Sequence, residues 1–209
     1  MTWHPDREIR RKLYECLLNI LNRFSEATQF YILSILIEKC PFESIKGELV
    51  HQLKECIRKL WNNIESPSSI LIFKGTALHQ QLSYLQNNPS SLGNSSDSIL
   101  NYLNLIRFLF LMDKKEDRLN LKYIKMNIVT NYLSIQIQYA KEELEKQYHT
   151  MDSSEQSKVS TKQMNQISSM RGLPPISQEQ FSSGTIRYIT NLQLILDLSE
   201  RVLDIIKEN

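Results

Sequence analysis

The stretch from Asp97 to Asp113, DSILNYLNLIRFLFLMD, is apolar around almost its whole circumference when wound as a helix. Its polar residues Asn101, Asn104 and Arg107 recur at every third position and leave one narrow wettable stripe. Other elements must cover the rest, so the pattern predicts a central helix around which the chain folds. Ser96 or Asp97 can serve as its N-cap, and the run is too long and too continuous to alternate as a strand. It carries no nucleophile or metal-ligand cluster, so its role is to hold its neighbours together.

Composition says what those neighbours are. The 209 residues, 41% of them hydrophobic, suffice for one sizeable domain or a short stack of helical pairs. Only five glycines, set among many Leu, Ile, Lys, Glu and Gln, favour helix throughout and argue against a glycine-rich nucleotide-binding architecture. The 25 basic and 23 acidic residues give a formal charge of +2, too small to steer the chain toward nucleic acid. Cys16, Cys40 and Cys56 are an odd number at no metal-ligand spacing, which suits a reducing compartment, the cytoplasm or also the nucleus. The opening MTWHPD lacks the apolar core of a secretory signal, and no window reaches about 18 uninterrupted apolar residues. A soluble, monomeric chain with no membrane partner is expected.

Taken in order, a first helix from Asp6 to Phe24 would bury Ile9, Leu13, Leu17, Ile20, Leu21 and Phe24. The basic run Arg10, Arg11 and Lys12 lies on its solvated side. A second helix, capped near Ser25, ends at Lys39 or Cys40 because Pro41 disfavours helical geometry in the residue before it. Its dense apolar run, broken only by Ser34, predicts helices on both sides. A third, Phe42 to Ile64, points Leu49, Leu53, Cys56, Ile57, Leu60, Trp61 and Ile64 inward and carries Gly47 at a helix-propensity cost of up to about 1 kcal/mol. Ser66 and Pro67 open the next segment as cap and first-turn proline. Ile70 to Phe73 reads as a helical turn, with an extended alternative open, before a helix from Ala77 to Gln86. Asn87 to Ser96 is loop by composition, and Asp113 to Asn120 is a charged turn after the central helix.

A long helix from Leu121 to Thr150 follows, with Ile124, Ile128, Leu133, Ile135, Ile137, Ala140, Leu144 and Tyr148 as its apolar residues. The expected division is a helical core over 1–150, a mobile polar linker or loop over 151–184, and a C-terminal helix over 185–209 packing on the core. That last helix would bury Ile186, Ile189, Leu192, Leu196, Leu203 and Ile206.

Catalytic chemistry has little to build on. His4, His51, His79 and His149 lie in separate elements, and none is paired at the helical spacing that two metal ligands need. Cys56 sits on the apolar stripe of its helix, the position of an inert buried thiol. The KGT at Lys74 to Thr76 lacks the upstream glycines of a phosphate loop and marks a helix junction. No carboxylate pair stands out for acid and base work, and basic residues interleave with acids along every helix. No catalytic, cofactor or metal site is expected, and protein binding by a helical scaffold is the function class that survives.

Two segments carry a family resemblance. SILNYLNLIRFLFLMDKKEDRLNL, Ser98 to Leu121, resembles the hydrophobic central helix and charged turn of the glomulin family, which also contains the plant aberrant lateral root formation protein and the fungal YAP-binding proteins. FYILSILIEKCPFESIKGELVHQLKECI, Phe30 to Ile57, is similar to the family's helix, Cys-Pro turn and amphipathic helix, most clearly at Cys40, Pro41 and Phe42. The long helix ending AKEELEK and the last helix fit the same C-terminal layout.

The resemblance implies an all-α, HEAT-like helical repeat stack, an α-solenoid, although no repeat period is visible in the sequence. It also implies a function: glomulin binds the RING-box subunit of cullin-RING ubiquitin ligases and masks the surface that recruits the ubiquitin-conjugating enzyme. The fungal relatives instead bind a stress transcription factor or kinetochore proteins, and a nucleic-acid-binding helical domain is the reading from another class. A RING partner calls for exposed apolar residues rimmed by acids. The expected protein-binding residues are Glu142, Glu143 and Glu145 near Tyr148, and Asp197, Glu200 and Asp204 beside Leu198 and Val202.

Overall fold

A computed structural model describes residues 7–87, 96–114, 119, 121–152 and 178–208, and all regular elements among them are helical. In chain order these are α1 (Arg7–Leu21), α2 (Glu26–Lys39), α3 (Glu43–Asn62), α4 (Pro67–Phe73), α5 (Ala77–Asn87), α6 (Ser96–Met112), α7 (Lys122–Ile128), a π-helical turn (Val129–Leu133), α8 (Ser134–Asp152) and α9 (Gln178–Glu208). The Asn87 to Ser96 loop, most of the charged turn and residues 153–177 of the expected linker fall outside the described residues.

Helix α6 is the centre. Ile99, Tyr102, Leu103, Leu105, Ile106, Leu109 and Phe110 are buried, while Asn104, Arg107 and Leu111 stay exposed as the narrow wet stripe. Helix α3 packs on one side of it and α9 on another. All three run in the same direction. At the start of α3 and α6 the Ser98 hydroxyl donates to the Glu43 carbonyl at 2.5 Å, and Asn191 Nδ2 donates to Ser96 Oγ at 2.9 Å where α9 meets the start of α6. At the far end Lys114 Nζ pairs with Glu208 at 3.1 Å. Gly47 permits the close approach of α3 to α6: a Cβ there would lie 3.0 Å from both Ser98 Cα and Ser98 N.

Local chemistry sets the ends of α2 and α4. Ser25 Oγ accepts from Thr28 N at the start of α2, and the Cys40 N–H closes that helix on the Leu36 carbonyl just before Pro41. Ser66 caps α4 by accepting from Ser69 N, with Pro67 in the first turn, so the short segment is helical rather than extended. Gly75 ends it tightly, since a Cβ there would sit 2.2 Å from the Leu71 carbonyl oxygen.

Four expectations need correction. Helix α2 lies at an edge: it packs on α3 and touches α4, but Tyr31 and Ile35 face solvent, so helices do not cover both its sides. Helix α1 turns Tyr14, Leu17, Leu18 and Leu21 inward, leaving Ile9 and Leu13 each 39% exposed and Ile20 58% exposed. Phe24, just beyond it, is exposed as well.

The third correction comes from the π turn. The Ser134 hydroxyl and N–H both reach back five residues to the Val129 carbonyl, and Thr130 Oγ1 bonds the Met126 carbonyl. A row with a spacing of four drifts by about 40° per step on a regular α-helix, and the extra residue of a π turn takes back much of that drift. Ile128, Tyr132, Gln136, Ala140 and Leu144 therefore all face the core, while Ile135, counted in the sequence among the apolar residues of this helix, is exposed. The fourth concerns α9, which starts at Gln178, upstream of the expected Thr185, and turns Ile186 to solvent while burying Ile195 and Val202.

Candidate protein-binding face

The two predicted clusters lie on α8 and α9, which pack against each other. Three contacts tie them together. Lys141 Nζ pairs with Glu200 Oε1 at 3.0 Å, Gln193 Nε2 donates to the Tyr148 hydroxyl at 2.7 Å, and the Tyr188 phenol lies close enough to Glu143 to feel its charge. Burial first, and then the negative charge of Glu143, raise the pKa of the Tyr188 phenol, which stays a neutral donor.

The acids are not equally available. On α9 Asp197 is engaged by Arg201 at 3.1 Å, Asp204 lies 3.9 Å from Lys207, and Glu200 is held by Lys141. On α8 Glu142, among the described residues, accepts only from the neutral Gln138 amide, at 2.9 Å. Glu143 is largely covered and shared between Gln147 and Lys146. Glu145 is exposed and, among the described residues, has no ion-pair partner. The open negative charge therefore belongs to α8.

The apolar part of the face also differs from the sequence reading. Val202, expected beside the acids at the surface, is wholly buried and belongs to the core, and Leu198 is half-buried. Tyr139 and Ile135, which the sequence reading did not place on this face, stand exposed on α8 with Tyr148, and Ile186 is exposed on α9. Tyr139 lies near Tyr188, whose ionisation it opposes. The signal for these residues was the π turn: once the phase shift is applied, the side of α8 away from Gln136 and Ala140 carries Ile135, Tyr139 and Glu142 together.

Elsewhere Cys56, His79 and Asp113 are structural. Cys56 is buried, donates to the Glu26 carbonyl at 3.1 Å, and has its thiol pushed up to about 12 by desolvation. His79 Nε2 lies 2.9 Å from the Leu119 carbonyl, and Asp113 accepts from Leu119 N at 3.0 Å, so both brace the entry to α7. Among the described residues no group of three or more His, Cys, Asp or Glu could hold a metal ion, and no helix is long and apolar enough to cross a membrane. His4 falls outside the described residues.

A family model described as an uncharacterised protein family, YAP/Alf4/glomulin, matches residues 1–182. No curated protein and no solved structure matches the chain.

Proposed function

Because the chain belongs to the YAP/Alf4/glomulin family, we propose that it is a non-catalytic scaffold that engages the RING-box subunit of a cullin-RING ubiquitin ligase and covers the surface recruiting the ubiquitin-conjugating enzyme. Family membership supports protein binding as the general function. The observation that carries the finer reading is the exposed surface of α8, where Tyr139 stands one turn before the open carboxylate of Glu142 and Tyr148 one turn after that of Glu145. Tyrosine supplies large contact area at small entropic cost, and unpaired acids complement a basic rim. A small zinc-braced RING surface with apolar and basic patches is the complement of such a face.

The architecture supports the same reading. The parallel α3, α6 and α9 form one layer, α2 packs on α3 and α8 on α9, and α5 meets α6 where the Tyr102 hydroxyl donates to the Leu82 carbonyl at 3.3 Å, an arrangement we read as stacked helical pairs of a short HEAT-like solenoid. Such a protein works in the cytoplasm and in the nucleus, where these ligases act.

The test is a direct titration with an assembled RING-box and cullin complex, together with a ubiquitin-chain assay. Binding and suppressed chain formation with the ligase intact are expected, and absence of binding at about 100 μM rules out the ligase reading. Reversing Glu142 and Glu145 should weaken binding more than reversing Arg10 and Arg11. The Glu200 and Asp204 pair should lie between them, because its charge is already compensated within α8 and α9.

A further inference from the structure

The wet stripe of α6 opens onto a groove that the α8–α9 reading does not use. The groove has a volume of ≈ 410 Å³ and is lined by Lys54 of α3 and by Asn104, Arg107, Phe108, Leu111 and Met112 of α6. Its floor is apolar. Leu111 is 44% exposed there, beside half-buried Phe108 and Met112.

Among the described residues its charge is positive and only partly compensated. Arg107 is exposed and, among the described residues, makes no ion pair. Its helix neighbours three and four positions away are Leu103, Asn104, Phe110 and Leu111, so the sequence offers it no local carboxylate. Arg11, Arg58 and Arg201 behave differently, each being paired with acids on its own helix. Lys54 leans on Glu55 at 3.5 Å, but the same carboxylate also takes Arg58 at 2.9 Å. One acid shared between two cations leaves the groove with a net positive charge.

We propose that this groove binds an acidic, apolar peptide segment of a protein partner. A carboxylate of the peptide would sit between Arg107 and Lys54, an aliphatic or aromatic side chain would cover Phe108, Leu111 and Met112, and the Asn104 amide would bond the peptide backbone. Charge complementarity selects the acid, and the apolar floor selects a peptide over a bare polyanion. The volume falls within the range of small ligand sites and holds one or two side chains.

The probe is a short fluorescein-labelled peptide in which Asp and Glu flank a Leu-Phe pair, titrated with the full chain and followed by anisotropy. Two controls replace its acids with Lys or its Leu-Phe pair with Ser. Saturable binding of the first peptide alone is expected, weakened about tenfold or more by Arg107→Glu. Asn104→Asp, a second exposed change, should weaken it in the same direction, and Arg107→Lys should restore most of it. Glu145→Lys on α8 should leave it unchanged, which separates this groove from the RING reading. The proposal is overturned by no saturation at about 1 mM, by unaltered binding in Arg107→Glu with the helical circular dichroism intact, or by equal binding of the Ser control. Equal binding of single-stranded nucleic acid would overturn it too, by showing a simple phosphate site.

Discussion

Helices α1 and α6 differ in a way their sequences invert. Helix α1 is the more regularly amphipathic of the two, with an apolar stripe recurring at helical spacing and an Arg11 side chain bridging Glu8 and Glu15 on its wet side. Yet Ile9, Leu13 and Ile20 remain substantially exposed, and only its last turns reach the core. Helix α6 has a weak polar stripe and is buried on nearly every other side, by α3, α9 and the π turn, whose Tyr132 meets Tyr102 edge-on at 4.6 Å. A clean stripe shows that a helix can pack, whereas apolarity all round obliges it to be packed. The second property constrains the fold more strongly.

The largest expected difference is in stability. Leu109 is 1% exposed, so Leu109→Ala should cost about 2 to 5 kcal/mol, while Leu13→Ala on α1 should cost less than about 1 kcal/mol. Urea unfolding of both variants tests this, and equal losses would mean that α1 is as much a part of the core as α6.

A smaller effect sharpens why α6 is so well covered. Helix propensity alone would make Gly47→Ala stabilising by up to about 1 kcal/mol, but the new Cβ would press on the Ser98 backbone at 3.0 Å. The net change should be a loss of about 1 to 3 kcal/mol, read from the same unfolding curves. A gain would show that α3 and α6 can separate without penalty.

A pH-dependent effect distinguishes the core from the periphery. Below pH 9.0 the Cys56 thiol is protonated in both the folded and unfolded chains. Above it the unfolded chain releases a proton that the folded chain keeps until about 12, so stability should fall as pH rises through that window. Buried Tyr102 and Tyr132, both raised by desolvation, act in the same direction from pH 10.0 upward. Cys56→Ala should flatten the slope measured by denaturant titration at several alkaline pH values.

The face on α8 and α9 was only partly legible. Glu142, Glu145 and Tyr148 could be named from the sequence because acids and aromatics advertise a surface, but whether Glu200 and Asp204 carry open charge depended on Lys141 and Lys207, a matter of side-chain geometry. Val202 was misplaced because a valine between acids looks like a surface residue until its helix is rotated onto α6. Tyr139 was missed because the phase of α8 changes at the π turn.

By itself the sequence determined that the chain is helical, where α2 and α4 begin and where α2 stops, and that α6 is central. Those features rest on periodicity, caps, proline and an almost continuous apolar circumference, all of which act within a few residues. Only the tertiary structure decided which stripes are covered. It left α1 half-bare, put α2 at an edge, turned Ile135 outward and Val202 inward, and, among the described residues, kept Arg107 without a carboxylate. The physical reason is that burial belongs to a pair of surfaces: a helix fixes the direction of its own side chains, but what lies opposite them comes from residues distant in the chain.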